Sequence, residues 1–352
     1  MPAVSFNRHL LTIIGTVITT MAAVSPALSR ADETSAWWTL TAENDNLVVD
    51  EDRHYVNGDN FAYLSPTLSS GQGFLPRTVL DVQDALPWLF PKVASDSDRR
   101  FEGSFGQQIY TPSNKSLSTP DPNDRPYAGW LYTELELMQN TDKRRYDQLG
   151  MTLGVVGPAA LGQEIMNGFH SVFGFGKSEG WSSQLHNEPA LTIDYEHKWR
   201  FATRFERAGG LEVDAIPELG MTLGNVFTYG EATGMVRLGR GLDADYGPRM
   251  LQPASTGGGY FSPSLSHQRF GAYLFAGYQE RLVGRNIFLD GNTWRDSPSV
   301  VKYPWVHDEI VGISAFGWNR VRADFTYVRR SREFDTQKTD DRYGSATVTV
   351  RF

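Results

Sequence analysis

Cysteine is absent from the 352 residues. A disulfide frame, a thiolate nucleophile and a zinc–thiolate site are therefore excluded, and passage through an oxidising compartment is compatible with the chain. No apolar run approaches the roughly 20 residues that a membrane-spanning helix needs. A mean hydropathy of −0.38, with 21% charged residues, also excludes a bundle of such helices. Basic runs are missing and the formal charge is −8, so the chain lacks the electrostatic footprint of a nucleic-acid partner. Internal repeats, low-complexity tracts and linkers are missing too, and one domain is the economical reading.

What is present starts with Arg8 and His9, an apolar run from Leu10 to Thr19, and small residues around Ala27-Leu28-Ser29 or Ser29-Arg30-Ala31. This is the pattern of a secretory signal, expected over 1–31, with the exported domain at 32–352. At the other end Ala346, Val348, Val350 and Phe352 share one face of a strand, while Thr347, Thr349 and Arg351 share the other. Lipid outside and water inside would suit such a strand, as the closing strand of a barrel.

Alternating strands hide their hydrophobicity from averages. Strands are expected near 36–44, 55–66, 100–112, 127–139, 145–157, 185–201, 208–224, 226–239, 268–281, 307–317, 319–331 and 341–352. Leu131, Thr133, Leu135 and Leu137 oppose Tyr132, Glu134, Glu136 and Met138, and Leu191, Ile193 and Tyr195 oppose Asp194, Glu196 and Lys198. The fold class expected is all-β, a 12-stranded antiparallel transmembrane β-barrel with a charged lumen. One long connection differs from the rest: Ile165, Met166, Phe169, Val172 and Phe173 recur at helical spacing, which predicts a short extracellular-loop helix over 159–174 with His170 at the edge of its apolar stripe.

Three patches are richer in polar residues than a wall needs. The first joins Glu43-Asn44-Asp45 to the stretch from Asp52 to Gly58. Carboxylate and amide oxygens suit a hard cation such as calcium, although no EF-hand spacing is present and an Asn-Asp turn between strands explains the same residues. The second contains Lys115 and Arg125, which could hold an anionic group such as a phosphate; a rim salt bridge between Asp124 and Arg125 is the plainer account. The third holds His170, whose imidazole can take a proton from water near neutral pH. Beside a calcium ion that polarises an ester carbonyl, such a base needs no protein nucleophile.

Together the patches resemble the outer-membrane lipid A 3′-O-deacylases of Gram-negative bacteria. The resemblance covers the whole exported chain. It rests on Glu43-Asn44-Asp45, Tyr55 to Gly58, Ile109 to Ser113, Asp124 to Trp130, and Gly157-Pro158 with Gly162-Gln163-Glu164, Asn167, His170 and Trp181. It implies an outer-membrane barrel whose active site lies between the wall and a loop helix, and a calcium-dependent hydrolase acting on lipid A of lipopolysaccharide among outer-membrane lipids. It further implies that Asn44 and Asp45 are the metal-site pair with catalytic roles, that His170 is the general base, and that Lys115 lies near a substrate phosphate. Arg125 joins Lys115 as an expected substrate-binding residue. At three positions the chain departs from the pattern: Val56 leaves only a main-chain oxygen as a ligand, Met166 replaces a glutamine, and Gly176 replaces a glutamate for which Glu179 or Glu188 could substitute. A monomer without a nucleic-acid partner is expected. The alternative is a catalytically inactive barrel acting as a pore or as a surface binding or structural protein. An outer-membrane phospholipase with a Ser-His-Asn set is the weaker rival, since no serine stands in a recognisable nucleophile setting.

Overall fold

The computed structural model describes residues 36–48, 53–69, 71, 73–92, 97–173, 177–205, 210–251, 259–266 and 269–351. The signal read at 1–31 and the terminal Phe352 lie outside the described residues. Twelve strands follow one another: β1 Trp37–Asn44, β2 His54–Leu64, β3 Ser97–Thr111, β4 Ala128–Thr141, β5 Arg145–Val156, β6 in two segments Glu188–Trp199 and Phe201–Phe205, β7 Leu211–Gly224, β8 Phe227–Arg240, β9 Phe270–Asn286, β10 Trp305–Gly317, β11 Val321–Arg330 and β12 Asp341–Arg351. Each pairs antiparallel with its sequence neighbours, and β1 pairs with β12 to close the cylinder. Both segments of β6 pair with β7, so Arg200 interrupts one strand and does not separate two.

The faces are inverted relative to a soluble protein. Along β8, Glu231, Thr233 and Arg237 are buried, whereas Val236 and Leu238 are 54% and 44% exposed. Leu40, Phe61, Leu135, Leu191, Ile193, Leu274 and Ile313 continue this outward apolar band. Only lipid makes such a surface stable at this size. The closing strand behaves as its alternation predicts: Thr349 and Thr347 face inward and meet Thr39 and Thr41 at 3.0 and 3.1 Å.

Several of the charges inside the wall are paired. Asp308 accepts from Arg281 at 3.0 Å and from Arg330 at 2.7 Å, and Lys198 stands 3.1 Å from both Glu196 and Glu218. The connection after β8 turns back into the lumen, which sequence periodicity did not show. Leu251 there donates its backbone N–H to Glu43 and accepts from Gln108, while Arg249 pairs with Glu102. At these points the polar lumen and the plug bond one another, as buried polar groups generally do.

A second departure from the sequence reading is a helix within 67–99, where a loop was expected. Helix α1, Phe74–Ala85, packs against the outside of the wall, with Val79, Leu68 and Phe90 over Phe101 and Leu137. Val79 and Gln83, four residues apart, are its buried stripe, too short a pattern to stand out in the sequence. The predicted loop helix is present as α2, Gly162–Phe173, preceded by a 3₁₀ turn at Pro158–Ala160. The start of β1, the end of β12 and the tight turns at 142–144 and 318–320 lie at one end of the barrel, and α2 belongs to the other.

Candidate active site

Alternation along β1 sends Glu43 and Asn44 to opposite sides of the wall. Glu43 faces the lumen, where it accepts from Tyr55 Oη at 2.8 Å. The first patch of the sequence is therefore split, and Glu43 is not part of the oxygen cluster. Asn44 shares the outward face with Leu40 and caps the 3₁₀ turn Asp45–Leu47, its Oδ1 accepting from the Asn46 N–H at 2.8 Å. Asp45 is 3% exposed. Its carboxylate accepts from the N–H of Asn46 at 2.8 Å and of Arg53 at 2.7 Å, so one side chain gathers both ends of the β1–β2 connection.

Val56 is the extra residue of a β-bulge, since Tyr55 pairs with Tyr110 and Asn57 with Ile109. A bulge leaves its residue out of the ladder and re-aims it. The freed carbonyl of Val56 accepts from Asn44 Nδ2 at 2.6 Å. Amide, carboxylate and main-chain oxygens thus come from Asn44, Asp45 and Val56 at one corner of the rim. All are hard donors, and in kind they fit a calcium ion, which needs several more oxygens to complete its shell.

Over this corner lies α2. Met166 is buried among Val56, Ile109, Tyr127 and Trp181. Where α2 begins, the helix meets the wall glycine to glycine: a Cβ on Gly129 would stand 3.2 Å from Gly162 N, and one on Gly162 would stand 3.2 Å from Gly129 Cα. His170 follows Met166 by one helical turn, and its side chain lies outside the described residues, as does Gly176. Of the two carboxylates considered in place of Gly176, Glu179 is exposed, and Glu188 accepts from Asn225, Asn292 and Thr293, where it ties loops together.

The second patch is wired differently from the expected rim bridge. Arg125 is 1% exposed, stacks over Tyr110 at 5.2 Å and donates to Glu333 Oε2 at 2.8 Å. Asp124 instead accepts from the N–H groups of Ser113 and Arg125, both at 2.8 Å. Consecutive side chains leave the chain in different directions, so a neighbour in sequence was the wrong partner. Burial works against the Asp124 charge, but His54 and the two N–H groups outweigh it and hold the pKa at about 2. Lys115 is half-buried, and its carbonyl accepts from Glu179 N at 2.9 Å and Tyr127 Oη at 3.2 Å, which joins the patch to the chain after α2.

Barrel, wall corner and docked loop helix together match a known architecture. A family model described as outer membrane protein LpxR matches residues 13–352. The chain belongs to the LpxR outer membrane protein family. Its fold is similar to that of LpxR from Salmonella typhimurium, with a TM-score of 0.69 and 22% identity over 90% of this chain and 100% of that one. The β domain of the Bordetella autotransporter BrkA aligns over 91% of this chain and 99% of its own, at 9% identity and a TM-score of 0.43, which carries no argument. Among curated protein sequences, none matches the chain. Membership in the LpxR family places the protein in the outer membrane, where the outward apolar band and inward charge also put it.

Proposed function

We propose that this LpxR-family protein is a calcium-dependent ester hydrolase that removes the 3′-linked acyl chain, with any chain esterified to it, from lipid A in the outer leaflet. The observation that supports this reading is the burial of Met166, one helical turn before His170, in one cluster with Val56, whose carbonyl accepts from Asn44. Family membership supports the substrate class. The outward face of β1 and β2 supports the route: Asn44, Asn57 and Asp59 form a polar notch on a side that elsewhere meets lipid, with Asn57 donating to Asp59 at 2.7 Å. An acyl ester can enter such a notch from the membrane without crossing the barrel.

In this reading His170 removes a proton from the attacking water and returns it to the leaving sugar oxygen. Asn44, Asp45 and the Val56 carbonyl would hold the calcium, which would supply electrostatic stabilisation for the developing oxyanion. Arg53 N and Asn46 N, by bonding the Asp45 carboxylate, keep it oriented toward that corner. Lys115 supplies positive charge for a lipid A phosphate, whereas the charge of the buried Arg125 is taken up by Glu333. The test is mass spectrometry of lipid A incubated with the purified protein in detergent. Calcium should give loss of the whole 3′ acyl group and a chelator should prevent it; an inert protein under both conditions removes the proposal.

A further inference from the structure

The rim where β2, β3 and β12 meet holds a second constellation, built from residues the reading above does not use. His54 is 2% exposed. Its φ of 62° is a left-handed conformation that costs a non-glycine residue on the order of 1 kcal/mol or more and persists only where its surroundings hold it. Nδ1 of His54 lies 2.7 and 2.8 Å from the two carboxylate oxygens of Asp341, and Nε2 lies 3.0 Å from Ser113 Oγ. A carboxylate only accepts, so Asp341 keeps a proton on Nδ1; Nε2 faces both Asp124 and the Ser113 hydroxyl, and in the neutral imidazole it offers its lone pair to that hydroxyl.

Ser113 is exposed, and Asp124 fixes its backbone by accepting its N–H. The other Asp124 oxygen stands 3.5 Å from Nε2, farther than the hydroxyl. Phe334 lies edge-on to the imidazole at 5.4 Å and screens it from water. Arg125, next to Asp124 in the chain, keeps Nε and Nη1 buried without a hydrogen-bond partner, donors of the kind an oxyanion requires. Hydroxyl, imidazole and carboxylate in this order and at these separations are what activates a serine.

We propose that Ser113, His54 and Asp341 form a serine-hydrolase triad that cleaves carboxylic esters of lipids at the outer rim without a metal. Ser113 Oγ bonds to the ester carbonyl carbon while its proton passes to His54 Nε2. The carbon–oxygen bond to the alcohol then breaks, and His54 gives that proton to the departing oxygen. Water, deprotonated by His54, next cleaves the acyl-serine ester, which releases the fatty acid and restores the hydroxyl. Asp341 holds the imidazole throughout and balances its positive charge.

The inference stands apart from the calcium reading and is tested with the full-length exported protein in detergent containing EDTA, where that reading predicts no turnover. A fluorophosphonate probe should add to Ser113, as located by peptide mass spectrometry, and the adduct should be absent in Ser113→Ala. His54→Gln should slow labelling about 100-fold or more. Fatty-acid release from phosphatidylethanolamine or from lipid A, each supplied separately in EDTA, then identifies the ester. No adduct, an adduct that survives Ser113→Ala, a labelling rate unchanged by His54→Gln, or no release from either lipid would each overturn the triad.

Discussion

Asn44 donates its side-chain amide to the main-chain oxygen of Val56 at 2.6 Å, which ties the end of β1 to the bulge of β2. The contact exists because alternation turns Asn44 outward and the bulge takes Val56 out of the ladder. Valine at position 56 therefore still leaves an oxygen at this corner, and it comes from the backbone, which no side-chain substitution at that position removes.

Asp45→Ala tests that corner. The carboxylate is buried and receives two backbone N–H groups, of which Asn46 keeps Asn44 Oδ1 as a second acceptor while Arg53 loses its bond to Asp45, so the loss is expected to cost about 1–3 kcal/mol locally. In the proposed reaction the variant should need at least about tenfold more calcium for half-maximal fatty-acid release, because a hard-cation site loses its carboxylate. A calcium titration identical to wild type would show that Asp45 is not a ligand. Val56→Thr should leave that titration unchanged or improve it.

Met166→Ala separates the helix from the wall. Truncating this buried side chain costs about 2–4 kcal/mol. That loss falls on α2 and not on the strand ladders, which are bonded without it. The expected result is faster protease cleavage within 157–187 and a fall in turnover, while heat-modified gel migration of the barrel stays as in wild type. Loss of barrel migration would mean that α2 supports the wall as well.

The wall was legible in the sequence because period-two patterning is a local signal: all twelve strands lie where alternation put them, and α2 declared itself through Ile165 and Met166. The lumen plug and α1 were not legible. The connection after β8 is held by Glu43, Glu102 and Gln108, partners distant in sequence and recognisable only once the cylinder has closed. Of the first patch, Asn44 bonds the Val56 carbonyl and adjoins Asp45 in the same turn, whereas Glu43 faces the lumen because one step along a strand crosses the wall. His54, Ser113 and Asp341 were invisible as a set, since 59 and 287 residues separate His54 from its two partners.

Asp124 gives a pH prediction. Its pKa is held down to about 2 against a usual 3.8. A depressed carboxylate stabilises the fold fully above the ordinary value and loses that contribution as pH falls through the lowered one. The difference in melting temperature between wild type and Asp124→Asn should therefore hold from about pH 4 up to the pH at which His54 loses its proton, and shrink as pH falls toward about 2. A difference that persists undiminished below pH 2 would place the stabilisation in the backbone turn and not in the charge.

Asp308 tests how the barrel tolerates its own charge. It is fully buried between Arg281 and Arg330, at 3.0 and 2.7 Å, and no water-exposed ion replaces it. Asp308→Ala leaves two guanidinium groups in the lumen facing each other, and breaking a buried pair in this way costs about 3–5 kcal/mol. The urea midpoint for loss of heat-modified migration should drop clearly. Glu309→Ala, one residue on and directed outward to the exposed Arg329, should not move it, because a solvated pair contributes little. Equal effects from the two variants would mean that water reaches Asp308 freely and that the lumen around it is open.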